Sequence, residues 1–383
     1  MRVVAGRLPR RQSPKFSIEA TSAAPAFLFI VITQTPDKFM PQNEQDQEKT
    51  TIYDVAEHAG VAISTVSRVL NNSQDVSDAT RDKVMKAIRK LQFRPNRTAK
   101  SLAQRATRTI AVAVPTFTTP FHNELLKGVR DRLDDADLDL LLCDLDWEAP
   151  KATLLNFLER GAMDGLIVAG LPINEETAED LLTLGAPVVL IGNEWPTIDS
   201  FYWDEEPGAR MAVNHLIEKG HRRIGMITTP HDNRLRNDRV HGYKQALQAA
   251  DIDFDETLVV HGQTRKHDGF SEESGYEAMN ELLELDDPVT GVFASSDVQA
   301  IGAWQAIREA GYEVPDDYSL VGYDDIKVSR FIGLTSVAQN MHYVGEKATD
   351  LMLNRLNSTG PDDAVSELVK PELVARKSSQ HQI

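Results

Sequence analysis

A single cysteine, Cys143, stands in 383 residues. No intramolecular disulfide can form, so the fold must rest on its apolar cores. Cys143 lies in the run LLLCD and is expected to be buried and inert. The ten histidines show no HExxH or comparable metal spacing; His215 and His221 merely straddle a helix end. GxSxG, GxxxxGK and GxGxxG are all missing. Nucleophilic, metal and phosphate-loop catalysis therefore have no visible support, and neither an enzyme nor a cofactor is expected. Long hydrophobic runs are also scarce. AAPAFLFIVI, within residues 1–39, is only ten residues long, against about 20 needed to span a membrane.

What is present is a strong charge asymmetry. The chain carries a net −17, yet Lys49–Arg108 holds twelve Lys/Arg against five Asp/Glu. Residues 109–383 hold 23 Lys/Arg against 48 Asp/Glu. A small basic head on an acidic body suits a protein whose one end meets phosphate and whose other end must not. In the head, Thr51 can cap a first helix, with Asp54 answering it as in a capping box. Val55, Ala56 and Ala59 give that helix an apolar face, and Gly60 stops it. A second helix is expected over Ser64–Leu70, with Val66, Val69 and Leu70 inward. That leaves Ile63, Ser64, Ser67 and Arg68 outward. Asn71-Asn72-Ser73 breaks it, and Ser77 caps a third helix carrying Val84, Ile88 and Leu91. Two helices about a tight glycine turn form the DNA-reading motif. Periodicity alone is equally served by a three-helix bundle with a solvated basic face.

The residue strings separate these readings. YDVAEHAGV, STVSRVLN, VSDATRDKV and RPNRTAKSLA follow one another in this order. Together they resemble the DNA-binding head of the LacI/GalR family of bacterial repressors, and the resemblance runs on to about Ser378. It implies a regulator that binds a near-palindromic double-stranded operator as a homodimer, with a tetramer left open, and that stays in the cytoplasm. Ile63 and Ser64 fall on base-reading positions, and Arg68 on an arginine able to grip guanine O6 and N7 bidentately. Thr65, Ser67 and Asn71 fall on phosphate or backbone contacts, and Thr51 and Tyr53 join the same DNA-contacting set. The family usually places Ser where Ala62 stands here; losing an N-cap costs about 1 kcal/mol, so this helix is expected to fray. Residues 94–103 look like the family's hinge helix. That implies DNA contacts from Asn96, Arg97 and Ala99, and a minor-groove wedge from Leu102. The alternative is a polar linker with Leu102 packed on the next domain.

The acidic body alternates apolar strands with helices. Strands are expected at Thr109–Val114, Leu138–Leu142, Gly165–Val168, Val188–Ile191, Ile224–Thr228, Leu258–Val260, Gly291–Ala294 and Leu320–Gly322. Helices are expected between them, among them Arg239–Ala249 and Asp297–Ala310. Continuous apolar strands separated by helices imply parallel sheets covered on both faces. Ligands of such sheets bind beyond the strands' carboxyl ends. The fold class is thus a small all-α helix-turn-helix domain followed by an α/β body. The resemblance makes that body two-lobed, like the periplasmic sugar-binding proteins. It also implies a small-molecule effector, a carbohydrate being the expected class, held by Phe121, Asp204, Arg239, Phe270 and Asp297. Each has a plainer alternative: Asp297 as a helix cap, Arg239 paired with Asp238 or Asp232 on the surface, Phe121 and Phe270 as core.

The expected layout is a leader over residues 1–48, the head over 49–93, hinge and linker over 94–108, the two-lobed domain over 109–378 and a tail over 379–383. The basic string MRVVAGRLPRRQ before the apolar run imitates a secretory signal. It suggests a rival, an exported sugar-binding protein, but such a protein has no use for STVSRVLN or a hinge wedge. The preferred expectation is a start at Met40, whose MPQNEQDQEKTTIYDV reads as a short polar leader.

Overall fold

The computed structural model describes residues 50–380, except 72, 94–106, 135, 137, 146–148, 161 and 162. The leader, Asn72 and the whole hinge assignment (Asn96, Arg97, Ala99 and Leu102 included) lie outside the described residues. The chain divides into two compact units, Met1–Arg94 and Pro95–Ile383.

The first unit contains α1 (Ile52–Ala59), α2 (Ile63–Leu70) and α3 (Asp78–Leu91). The capping box forms as expected, with the Thr51 backbone N–H and hydroxyl both donating to Asp54 Oδ2 at 2.7 Å. Those two bonds, the backbone one foremost, hold the Asp54 carboxyl below its ordinary value. Gly60 ends α1 at φ 65°, a left-handed conformation that costs glycine nothing. Val55, Ala56, Val66, Val69, Val76, Val84 and Ala87 form the core, with Leu70, Ile88 and Leu91 half-buried around it. Ala62 occupies the N-cap of α2 and supplies no side-chain bond. Ser77 stands at the N-cap of α3, but its hydroxyl meets Thr80 Oγ1 at 2.9 Å and not a backbone N–H.

The second unit holds two six-stranded sheets. In the first, the order is β11 (Ser366–Leu368), β5 (Asp199–Tyr202), β4 (Val188–Ile191), β3 (Gly165–Ala169), β1 (Thr109–Val114) and β2 (Asp139–Asp144), all parallel. In the second, it is β12 (Glu372–Val374), β10 (Thr335–Ala338), β9 (Ser319–Asp324), β8 (Gly291–Ala294), β6 (Ile224–Ile227) and β7 (Val259–Val260). Only β12 runs antiparallel there. The central strands are buried along their length because helices cover both faces. β2 departs from the expected buried strand: it lies at an edge, and Leu141 and Leu142 are exposed.

Helices α4 (Pro120–Leu133), α5 (Pro150–Arg160) and α6 (Glu175–Leu182) lie in the first-lobe portion of the chain. Helices α7 (Glu205–Glu218), α8 (Arg234–Ala249), α9 (Glu272–Leu283), α10 (Asp297–Glu309) and α11 (Lys327–Ile332) lie in the second. The last helix, α12 (Met341–Leu356), returns to pack on α4 in the first lobe. Cβ atoms at Gly128 or Gly345 would stand about 2 Å from the opposite backbone, at 2.1 Å from His342 O and 2.3 Å from Leu125 O. Only glycines permit that crossing.

The chain therefore passes between the lobes after β5, after β10 and after β11. These crossovers are tied together: the Trp203 indole N–H donates to Gln339 O at 2.9 Å, and Val369 N–H to Tyr202 O at 2.8 Å. Ser379, expected to open the tail, is built into the second lobe beside Ser378. Ser378 and Ser379 are fully buried, the former donating to Leu320 O at 2.6 Å and the latter meeting Thr335 Oγ1 at 2.7 Å.

Candidate functional site

The basic head presents one prepared surface. On α2, Val66 and Val69 point into the core, so the helical repeat turns Ile63, Ser64 and Arg68 outward. Ile63 is 41% exposed and Tyr53, on α1, 66%. Thr51 and Asn71 are also exposed, while Thr65 and Ser67 are half-buried at the flank. The expected DNA-contacting residues on the described part of the head thus share the α1–α2 side. Lys83, Lys86, Arg89 and Lys90 on α3 are exposed as well and add positive charge.

In the body, β1 and β3 are neighbours in one sheet, and β6 and β8 in the other. Each pair marks the point where strand order reverses, the usual place for a ligand beyond the carboxyl ends. The segments leaving these ends run from Pro115 to Thr119 and from Thr228 to Pro230, with Gly170 and Ser295 beside them. The two lobes touch here: Thr118 Oγ1 and His267 Nε2 stand 3.3 Å apart. Thr118 lies three residues before Phe121, and His267 three before Phe270, so the contact places both aromatics on segments that meet. Each is half-buried. Phe121 packs against the first-lobe core and meets the His122 ring edge-on, with centroids 5.2 Å apart. His122 is buried, and burial, followed by the charge of His267, brings it down to about 4, so it is neutral.

Two of the three expected polar contacts have partners within the protein. Asp297 is fully buried, and its carboxylate accepts from Ile326 N–H at 2.9 Å, Ser329 Oγ at 2.5 Å and Ser336 Oγ at 2.6 Å. All three partners are the protein's own. Asp297 is not the helix cap, which is Ser296. Gly322 makes room for it, since a Cβ there would lie 2.2 Å from Asp297 Oδ1. Arg239 is only 3% exposed, and it pairs with Glu205 at 2.9 Å, not with surface Asp238 or Asp232. Asp204 is exposed at the N-cap of α7 and forms no capping bond.

Three groups absent from the expected set join Arg239 at the cleft floor. Glu205 binds it, Gln339 binds Glu205 at 3.0 Å, and Asp324 ends β9 with φ 108°. A positive φ outside glycine signals strain held by its surroundings. The doubled acid in VGYDD was the available signal for Asp324; Glu205 carried none, because its partner is distant in sequence.

Burial pushes the Asp297 carboxyl up to about 7, against its three hydrogen bonds. An acid raised in the folded state contributes stability that is complete below its unfolded value of 3.8 and lost as pH rises through about 7. Urea unfolding is expected to show the body less stable at mildly alkaline than at mildly acidic pH, by on the order of a few kcal/mol. Asp297→Asn should flatten that difference, and an unchanged slope in the variant would assign the effect elsewhere.

Comparison with known proteins adds the following. Residues 51–96 match the family model for bacterial regulatory proteins of the lacI family, and residues 213–379 that for a periplasmic binding protein-like domain. The HTH-type transcriptional regulator DegA of Bacillus subtilis is 36% identical over 340 residues, covering 86% of this chain and 98% of DegA. The HTH-type transcriptional repressor PurR of Mannheimia succiniciproducens is 34% identical, with 86% and 98% covered. Among solved structures, the lac repressor dimer bound to operator and the anti-inducer ONPF superposes with a TM-score of 0.73 at 28% identity, over 86% of this chain and 99% of that one. The complex of the transcriptional regulator CelR with cellobiose gives 0.61 at 33% identity, with 86% and 99% covered.

Proposed function

Because this chain belongs to the lacI family of bacterial regulatory proteins, and is thus a DNA-binding transcriptional regulator, we propose that it is a repressor whose hold on its operator is set by a small sugar. The observation that carries the DNA half is the outward face of α2, where Ile63, Ser64 and Arg68 stand clear of a core that fixes the helix. The sugar half is supported by two parallel sheets whose switch points meet at Thr118 and His267, and by the cellobiose complex of CelR. Sugar binding closes the lobes and repositions the DNA-binding ends of a dimer, so sugar weakens operator binding. Such coupling is reciprocal and typically about 5–150-fold. A mobility-shift titration of upstream DNA against a panel of sugars tests this. A chain that holds scrambled DNA as tightly as upstream DNA, or that no sugar releases, refutes the respective half.

Dimerisation has a candidate surface of its own. The α11 helix leaves Phe331 81%, Val328 48% and Ile332 39% exposed. A phenylalanine so open beside two aliphatics fits a second copy of the chain, and the similar lac repressor structure is of a dimer. Phe331→Asp is expected to yield monomers in sedimentation velocity. Losing the linked second head should weaken operator binding by about a hundredfold. A variant that stays dimeric places the interface elsewhere.

A further inference from the structure

The cleft floor contains an anion that the protein supplies itself. Arg239 Nε and Nη2 donate to the same oxygen of Glu205, at 3.0 and 2.9 Å. Its Nη1 donates to the Ser295 carbonyl at the end of β8, and its flat face lies 3.9 Å from the Tyr323 ring centroid. The second Glu205 oxygen accepts from Gln339 Nε2 at 3.0 Å. Both side chains are almost closed to solvent, at 3% for Arg239 and 8% for Glu205. A guanidinium is the natural receptor for the carboxylate or phosphate of an anionic ligand, because its fork matches their oxygens. Here the fork is filled from within.

Further carboxylates crowd the pair, and the nearest other cation, Arg236, donates to the Thr229 carbonyl at 3.1 Å. Asp204 precedes it in the chain. The Asp238 carboxyl is raised by burial and, against the pull of Arg234, by Glu205, Asp204 and Glu206. Asp324 is raised well above the ordinary carboxylate value by burial and, against Arg239, by Asp297 and Glu205. What is left unpaired is uncharged. Thr228 Oγ1, Thr229 Oγ1 and Gln339 Oε1 are closed off from solvent and make no hydrogen bond to the described residues.

We propose that Glu205 keeps the Arg239 fork closed to anionic effectors, by taking the place that an effector's carboxylate or phosphate would otherwise fill. This rests on the regulator reading above and names what its ligand site refuses. An anionic effector at that fork would have to displace Glu205, leaving a buried carboxylate without its counter-ion, which is strongly unfavourable.

Sulfate is the test probe, since it offers guanidinium-matched oxygens and requires no knowledge of the effector. Calorimetric titration compares the full chain with Glu205→Gln and with Glu205→Gln/Arg239→Met. Sulfate held by the basic head is common to all three and subtracts out. Glu205→Gln is expected to gain a saturable sulfate site, about tenfold or more tighter than anything the wild-type body shows, and the double variant to lose it. A sulfate site in the wild-type chain that Arg239→Met removes overturns the proposal, as does a folded Glu205→Gln that gains none. Should Glu205→Gln lose its native circular dichroism, Glu205→Asp, which draws the carboxylate back by one methylene, replaces it with the same two readings. A mobility shift on the wild-type chain tests the regulator reading separately: missing specific DNA binding counts against that reading and leaves the sulfate comparison standing.

Discussion

Replacing Asp297 by alanine is expected to destabilise the second lobe, not to blunt the sugar response selectively. The carboxylate is fully buried and receives three hydrogen bonds, from Ile326 N–H, Ser329 Oγ and Ser336 Oγ. Each leads to a different piece of structure: the N-cap of α11, the body of that helix, and β10. Removing the acceptor leaves those donors buried and unpaired at about 1–3 kcal/mol apiece, partly offset because a buried charge goes with it. A net loss of about 3 kcal/mol or more is a large share of the stability of an ordinary domain. Urea unfolding should show it directly, with sugar and operator responses declining together as the fold weakens. A variant of wild-type stability that binds operator normally and has lost only sugar binding would make Asp297 a ligand contact after all.

Arg68→Ala carries the largest expected effect on DNA. Arg68 is exposed near the end of α2, one turn beyond Ser64, with its neighbours Val66 and Val69 locked in the core. On the proposed reading, Arg68 grips guanine through two parallel hydrogen bonds. Its loss should weaken operator binding by about 1–3 kcal/mol, roughly 5–150-fold, and relax one base position per half-site. Binding to scrambled DNA should change far less, because phosphate contacts dominate there. Fluorescence anisotropy on both duplexes at matched salt separates the two. Equal losses on specific and scrambled DNA would mean that Arg68 contacts only phosphate.

These two residues also show where sequence reading succeeds and where it stops. The head was legible because its signals are local. Thr51 answers Asp54 within one turn, Gly60 adopts φ 65°, and the spacing of Val66 and Val69 sets which side of α2 faces out. Eight body strands, β1–β4 and β6–β9, were legible because their apolar runs lie between helices, whereas β5 (DSFY) and β10 (TSVA) mix polar with apolar residues and were missed. Departures came where tertiary position overrides pattern: Leu141 and Leu142 look like core but lie on an edge strand. The short edge strands β11 and β12 carry too few residues to announce themselves, and α12 belongs to a lobe that the chain had already left.

The sequence by itself determined the charge asymmetry, the helix-turn-helix, the parallel α/β body and the family, since each rests on residues close together or on a string of motifs in order. Only the tertiary structure decided which charges are free. Arg239 and Asp297 carry the right chemistry to hold sugar hydroxyls, and nothing nearby in sequence shows that they are already occupied. Glu205 lies 34 residues from Arg239, and Ser329 and Ser336 lie 32 and 39 from Asp297. A side chain becomes a ligand contact or a structural tie according to whether the fold brings a partner within about 3 Å, and folding alone sets those distances.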